Sequence, residues 1–184
     1  MSLTVIKETG AGLADANSYA SVADGDAYFE GHLYATAWTG ATSDTKAAAL
    51  VMATRLIDSQ FQFLGYRVNE SQALQWPRAE CPDPDREGRT WTVLGPVVSN
   101  CVPSDSVPEA VVQATCELGR ELIIEDRTAA PAGEGLATVI NGSVTTRYSK
   151  SDTRPIISHV AQAMLAKYGA PIRGGSGSVR LVRA

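Results

Sequence analysis

Histidine is scarce in this sequence. Only His32 and His159 occur in 184 residues, and neither has a neighbour at a metal-ligating spacing such as HxxxH. With no nucleophile-elbow motif either, the chain offers no set of side chains for nucleophilic or general acid–base work. Cysteine is also sparse: Cys81, Cys101 and Cys116 are odd in number and show no CxxC spacing. That pattern argues against a disulfide framework or a zinc site and points to reduced thiols in a cytosolic setting. No run approaches the roughly 18 apolar residues of a membrane helix. The opening "MSLTVIKETG" lacks the basic region and apolar core of a secretory signal. "DPDREG" echoes a calcium loop, but the twelfth position counted from Asp83 is Leu94 instead of a bidentate glutamate. "GGSGS" has neither the lysine nor the strand–helix setting of a phosphate loop. The expectation is a protein that is not an enzyme and that uses no cofactor and no metal.

Acids are missing from one part of the chain. Residues 153–184 hold five basic side chains and no Asp or Glu, so the first 152 residues carry a net charge of −9 within a total of −4. An acidic body with a basic end is the charge pattern of an interaction tail. The net charge of −4 argues against a general nucleic-acid coat.

The length predicts one domain. Periodicity predicts a mainly α fold: a small helical domain of about four helices with one β-hairpin, a long irregular central loop and extended termini. This domain spans residues 1–173, and a flexible basic arm follows over 174–184. A helix is expected over 21–33, capped by Ser21 with Asp24 and presenting Val22, Phe29 and Leu33 on one face. The second, over 43–65, is capped by Ser43 or Asp44. Its apolar stripe is Ala47, Leu50, Val51, Thr54, Ile57 and Phe61. The third, over 106–126, starts with a capping box of Ser106 and Glu109 and buries Val107, Val111, Ala114, Leu118 and Leu122. A hairpin at about 136–149 turns at Asn141-Gly142, a pair suited to a type I′ turn. It either packs on the helices or pairs with an adjacent subunit. The last helix, over 154–171, places Ile156, Val160, Met164 and Tyr168 on one face. "TVIKE" reads as a short strand or an extended arm, and "ETGAGLADANSYA" as a loop.

Three side chains in the irregular stretch are candidates for an interface contact or a loop anchor: Trp76, Arg78 and Trp91. Trp76 precedes a proline and is biased toward extended geometry. It either plugs the core from a loop or stacks on a base. The arm supplies the other candidates, a partner-binding strand of Arg173, Val179, Arg180, Leu181, Val182 and Arg183. Fully extended, residues 174–184 reach about 36 Å. "SVRLVRA" alternates in the way that suits addition to another polypeptide's sheet edge. A disordered solubilising tail is the plain alternative.

The stretches "ADANSYASVADGDAYF", "FLGYRVNESQALQWPR" and "PSDSVPEAVVQATCELG", with the ending "GGSGSVRLVRA", resemble a family of small tailed-phage proteins. Members are often labelled DnaT-like single-stranded-DNA-binding proteins, and they look like adaptors of the phage head–tail connector. The loop over 79–102 departs from that pattern in its length and its cysteine and tryptophan content. The resemblance implies a structural virion assembly protein: a ring of twelve copies between the portal and the tail-side connector protein, with DNA passing through the channel without specific binding. It implies host cytoplasm during assembly and then the virion neck. The alternative it leaves open is single-stranded-DNA binding in phage replication.

Overall fold

The computed structural model describes residues 3–85, 100–129, 138–141, 144–147 and 154–172. Trp91 and the arm at 173–184 lie outside the described residues, as does Gly142 of the expected hairpin turn.

The first helix starts where its cap requires. Ser21 is extended, its hydroxyl accepts from the Asp24 amide at 3.1 Å, and the Asp24 carboxylate accepts from the Ser21 amide at 2.7 Å. This capping box opens α1 (Val22–Phe29). Leu33 lies beyond the helix and is 89% exposed, so it leaves the face it was expected to share with Phe29. A single turn that periodicity did not reveal, α2 (Thr36–Thr39), carries Trp38 back onto α1. There a Cβ on Gly25 would stand 2.3 Å from the indole. Gly25 is therefore a packing requirement and not merely a weak helix former.

The hydroxyl of Thr42, one residue before the expected caps, accepts from the Thr45 amide and starts α3 (Ser43–Gln60). Every residue of its expected apolar stripe is buried. The helix stops five residues before Gly65. Phe61–Phe63 instead forms strand β1, antiparallel to β6 (Gly169–Pro171), with Phe61 opposite Pro171. "FQF" alternates buried, exposed, buried, and the period of two wins because both phenylalanines then enter the core.

The third large helix, α4 (Glu109–Ile124), buries the expected stripe, with Val107 and Leu122 at its margin. The expected capping box does not form. Pro108 is the N-cap, and the Ser106 hydroxyl donates to the Pro103 carbonyl. α5 (His159–Leu165) is much shorter than expected, because Ser158 caps it by accepting from the Ala161 amide. Its buried set is Ile157, Ala161, Leu165 and Tyr168, and Val160 is 49% exposed. Residues 154–158 are not helical, Ser158 itself being extended, and this breaks the helical period on which the expected face is based.

Among the described residues there are five helices and three two-stranded antiparallel ladders, giving a mixed α/β but mainly helical domain. The second ladder is β2 (Tyr66–Arg67) with β3 (Arg78–Ala79). The third is the expected hairpin, β4 (Thr138–Asn141) with β5 (Val144–Arg147) and Asn141 opposite Val144. α3 and α4 pack together, with Gly119 against Ala49 and Leu50. One core cluster gathers round Trp38 and a larger one round Trp76. "TVIKE" is extended and bridges in parallel to Ser18. The loop after it is organised by the fully buried Glu8, whose carboxylate accepts from the amides of Gly10, Gly12 and Leu13 at 2.8–3.0 Å. No helix among the described residues is long and apolar enough to cross a membrane.

Candidate functional site

"QWPR" sits where the larger core cluster meets the two short ladders. Trp76 has no exposed surface, and a cis peptide bond joins it to Pro77. Phe63 and Tyr168 meet its ring edge-on at centroid distances of 5.6 and 5.7 Å. A base has no free face to stack on. The indole Nε1 is buried without a hydrogen-bond partner.

Arg78, on β3, is 7% exposed and faces backbone oxygens in place of a carboxylate. Nε donates to the Leu64 carbonyl at 2.7 Å, and Nη2 donates to Gly65 at 2.6 Å and Phe63 at 3.4 Å. Nη1 donates to the main-chain and side-chain oxygens of Gln75 at 3.1 and 3.0 Å. A guanidinium has five N–H donors, and here all five have acceptors. The side chain ties the β1–β2 turn to the loop before β3. That turn needs glycine: Gly65 has φ +71, and a Cβ there would stand 2.2 Å from the Ala79 carbonyl.

The same loop is held from its other side. The Tyr19 hydroxyl donates to Asp58 Oδ1 at 2.5 Å and accepts from the Trp76 amide at 3.2 Å. The Gln75 amide donates to the Tyr19 hydroxyl and to Asp58 Oδ2 at 3.0 and 3.1 Å. Burial pushes the Asp58 carboxyl up to about 6, against the pull of these donors and of Arg78 and Arg67. Burial and the adjacent carboxylate raise the Tyr19 hydroxyl well above its ordinary value.

A pH dependence follows from Asp58. An unfolded aspartate titrates near 3.9. A carboxyl whose pKa is raised on folding binds its proton more tightly in the folded state, so its contribution to stability falls as pH rises from about 4 through about 6. Across that window the loss amounts to roughly 3 kcal/mol. Asp24 and Asp26 have lowered values and lose their contributions only at lower pH. Urea unfolding across pH 4 to 7 should therefore show a decline in the wild type that Asp58→Asn lacks. Parallel curves for the two proteins would refute the assignment.

A second buried polar centre lies on the Trp38 side. Glu117, 3% exposed, receives Arg120 at 3.0 Å, the Tyr28 hydroxyl at 3.1 Å and His32 Nε2 at 3.4 Å. Burial, then the Glu117 carboxylate, pushes the Tyr28 hydroxyl up to about 12. His32 Nδ1 accepts from the Tyr34 amide, so the ring is held as the tautomer protonated on Nε2. His159 is exposed at the first position of α5. Both buried centres position loops, since their polar atoms face other parts of this chain.

Of the residues singled out from the sequence, the structure brings Trp76 and Arg78 together. Trp91 and the arm residues Arg173, Val179, Arg180, Leu181, Val182 and Arg183 lie outside the described residues. Sequence reasoning missed Glu8, Tyr19, Asp58 and Glu117. A signal existed for two of them: Asp58 and Glu117 are carboxylates next to buried positions of amphipathic helices, where a charge needs a partner.

Surface charge completes the geometry. The described residues contain ten Lys and Arg against seventeen Asp and Glu, and the remaining segments contain six against three. Lys7, Lys46, Arg127 and Lys167 are paired with Asp24, Asp26, Glu121 and Asp85 at 2.5–2.9 Å, and Arg154 with Glu125. Arg55 and Arg67 are exposed. No group of three or more His, Cys, Asp or Glu among the described residues is placed to hold a metal ion.

No curated protein and no solved structure matches the chain. A family model does match, over residues 1–184, and by that match the chain belongs to the family described as Putative DnaT-like ssDNA binding protein.

Proposed function

We propose that the chain is a structural adaptor of a tailed-phage head–tail connector, assembling as a ring between the portal and the tail-side connector protein. It works without catalysis, in the host cytoplasm during assembly and then in the virion neck. The observation that carries this reading is the charge arrangement of the body. Its acids outnumber its bases, six of its cations are committed to ion pairs, and the guanidinium of Arg78 is consumed internally. Such a surface repels phosphate and suits a channel wall past which DNA slides without sticking.

Single-stranded-DNA binding is the second reading, and the family's description favours it. Useful binders neutralise roughly six to ten phosphates. On this reading the contacts come from the segments with excess positive charge, because Trp76 has no free face.

Two measurements separate the readings. Labelled single-stranded oligonucleotide is titrated at 150 mM salt and again at low salt, and the chain is co-sedimented with the portal of the same phage. The adaptor reading expects co-sedimentation at fixed stoichiometry and no micromolar DNA binding at 150 mM. Tight binding with a log–log salt slope steeper than about −4, about −0.7 per contact, together with no portal association, would establish the second reading instead.

A further inference from the structure

Two arginines close the base of the segment that carries the β4–β5 hairpin. Where the chain leaves α4, Arg127 donates from Nε to the Ile156 carbonyl at 2.8 Å and from Nη2 to the Pro155 carbonyl at 2.6 Å. Its Nη1 pairs with Glu121 at 2.9 Å. Where the chain returns, Arg154 donates from Nη2 to the Asp126 carbonyl at 3.3 Å and pairs with Glu125. Each end therefore holds the main chain at the other. The Arg127 side chain is only 13% exposed, so its charge-assisted bonds are little screened by solvent. A turn directs the chain outward at the same point: the Asp126 carboxylate accepts from the Thr128 amide at 2.8 Å and from its hydroxyl at 2.6 Å.

Beyond this clasp the contacts with the body thin out. Among the described residues the chain leaves the core after Ile123 and re-enters it at Ile157. β4 and β5 pair with each other, and no other described element makes more than a marginal contact with either. Residues 128–153 contain Glu134, Arg147, Lys150 and Asp152, a net charge of zero, so the field of the acidic body neither holds nor expels them. We propose that the β4–β5 hairpin is a separable folding unit, opening and closing while the helical body stays folded, with Arg127 and Arg154 as the positioning residues that fix its base. A two-stranded hairpin without packing is marginal in water. Its order is therefore set locally, at the low end of the molecule's stability, from which elements that move on binding are drawn. A long excursion between clasped ends costs the body little, because closure entropy grows only with the logarithm of length. The inference does not depend on whether the chain serves a connector or DNA.

Native-state hydrogen exchange on the full chain tests the separation. The amides of β4 and β5 should exchange roughly a hundredfold faster than those of α3 and α4, at a rate that low urea leaves unchanged, whereas the helix amides accelerate with urea. Hairpin amides that share the protection and urea dependence of α3 and α4 would overturn the proposal. Excision supplies a second readout. With residues 130–152 replaced by about six Gly/Ser residues, the melting temperature should move by less than about 4 °C. A larger fall, or failure to fold, would place the hairpin inside the body's cooperative unit and overturn the proposal equally. The clasp is read in a full chain with a protease site inserted between Gly142 and Ser143 and cut after folding. α5 packs on α4 and β6 pairs with β1, so the two fragments should co-elute. Arg127→Met should then speed their separation about tenfold, as expected when hydrogen bonds to a charged group are lost. Fragments that part in the parent protein, or that part no faster without Arg127, would refute the clasp.

Discussion

Replacing Arg78 by methionine should destabilise the fold by about 3–5 kcal/mol: several acceptors lose a charged donor together, each at the low end of about 1–3 kcal/mol or below it because most of these hydrogen bonds are only part-buried. Methionine keeps much of the stem's packing, so the loss isolates the guanidinium. The carbonyls of Phe63, Leu64, Gly65 and Gln75 would all lose this donor at once. Arg78→Lys should recover only part, because one ammonium cannot span acceptors arranged for a planar fork. Urea unfolding is the measurement, with the midpoint falling and the slope unchanged. A methionine variant within about 1 kcal/mol of wild type would mean that the carbonyl cage contributes little. Arg78 would then be better read as a side chain held for a partner.

Trp76→Ala is the second large effect, about 3–5 kcal/mol for emptying a fully buried aromatic site. The cavity would lie between Phe63 and Tyr168, on the seam between β1 and β6, and helix packing alone should not close it. Trp76→Phe is the informative companion. Because the indole Nε1 has no partner, the smaller ring loses area and no hydrogen bond. Its cost should stay near 1–2 kcal/mol, in the range of modest core trimming. Equal losses for the two variants would show that the N–H has a partner after all. An alanine variant that melts like wild type would return Trp76 to the surface and reopen base stacking.

These two side chains mark how far the sequence could be read. Trp76 was legible as either a plug or a stacking surface, and only its neighbours chose between them. Two of those neighbours, Phe63 and Tyr168, are more than a hundred residues apart and meet because β1 pairs with β6. Nothing local in "FQF" or "GAP" announces that pairing, and so helical period alone carries α3 five residues too far. The missed node has the same character: Tyr19 and Asp58 are 39 positions apart, and Tyr19 and the Trp76 amide 57.

What could be read from the chain alone was local in origin. The stripes of α3 and α4, the capping box of α1, the hairpin around Asn141 and the division into an acidic body and a basic end each depend on residues within a few turns of one another. Helical period and cap chemistry act over that range, so they are written in the order of residues. The tertiary structure alone decided which polar groups are sealed inside, where each helix stops, and that Arg78 is spent on carbonyls. Those outcomes depend on desolvation, and a group loses its water only when segments distant in sequence close over it.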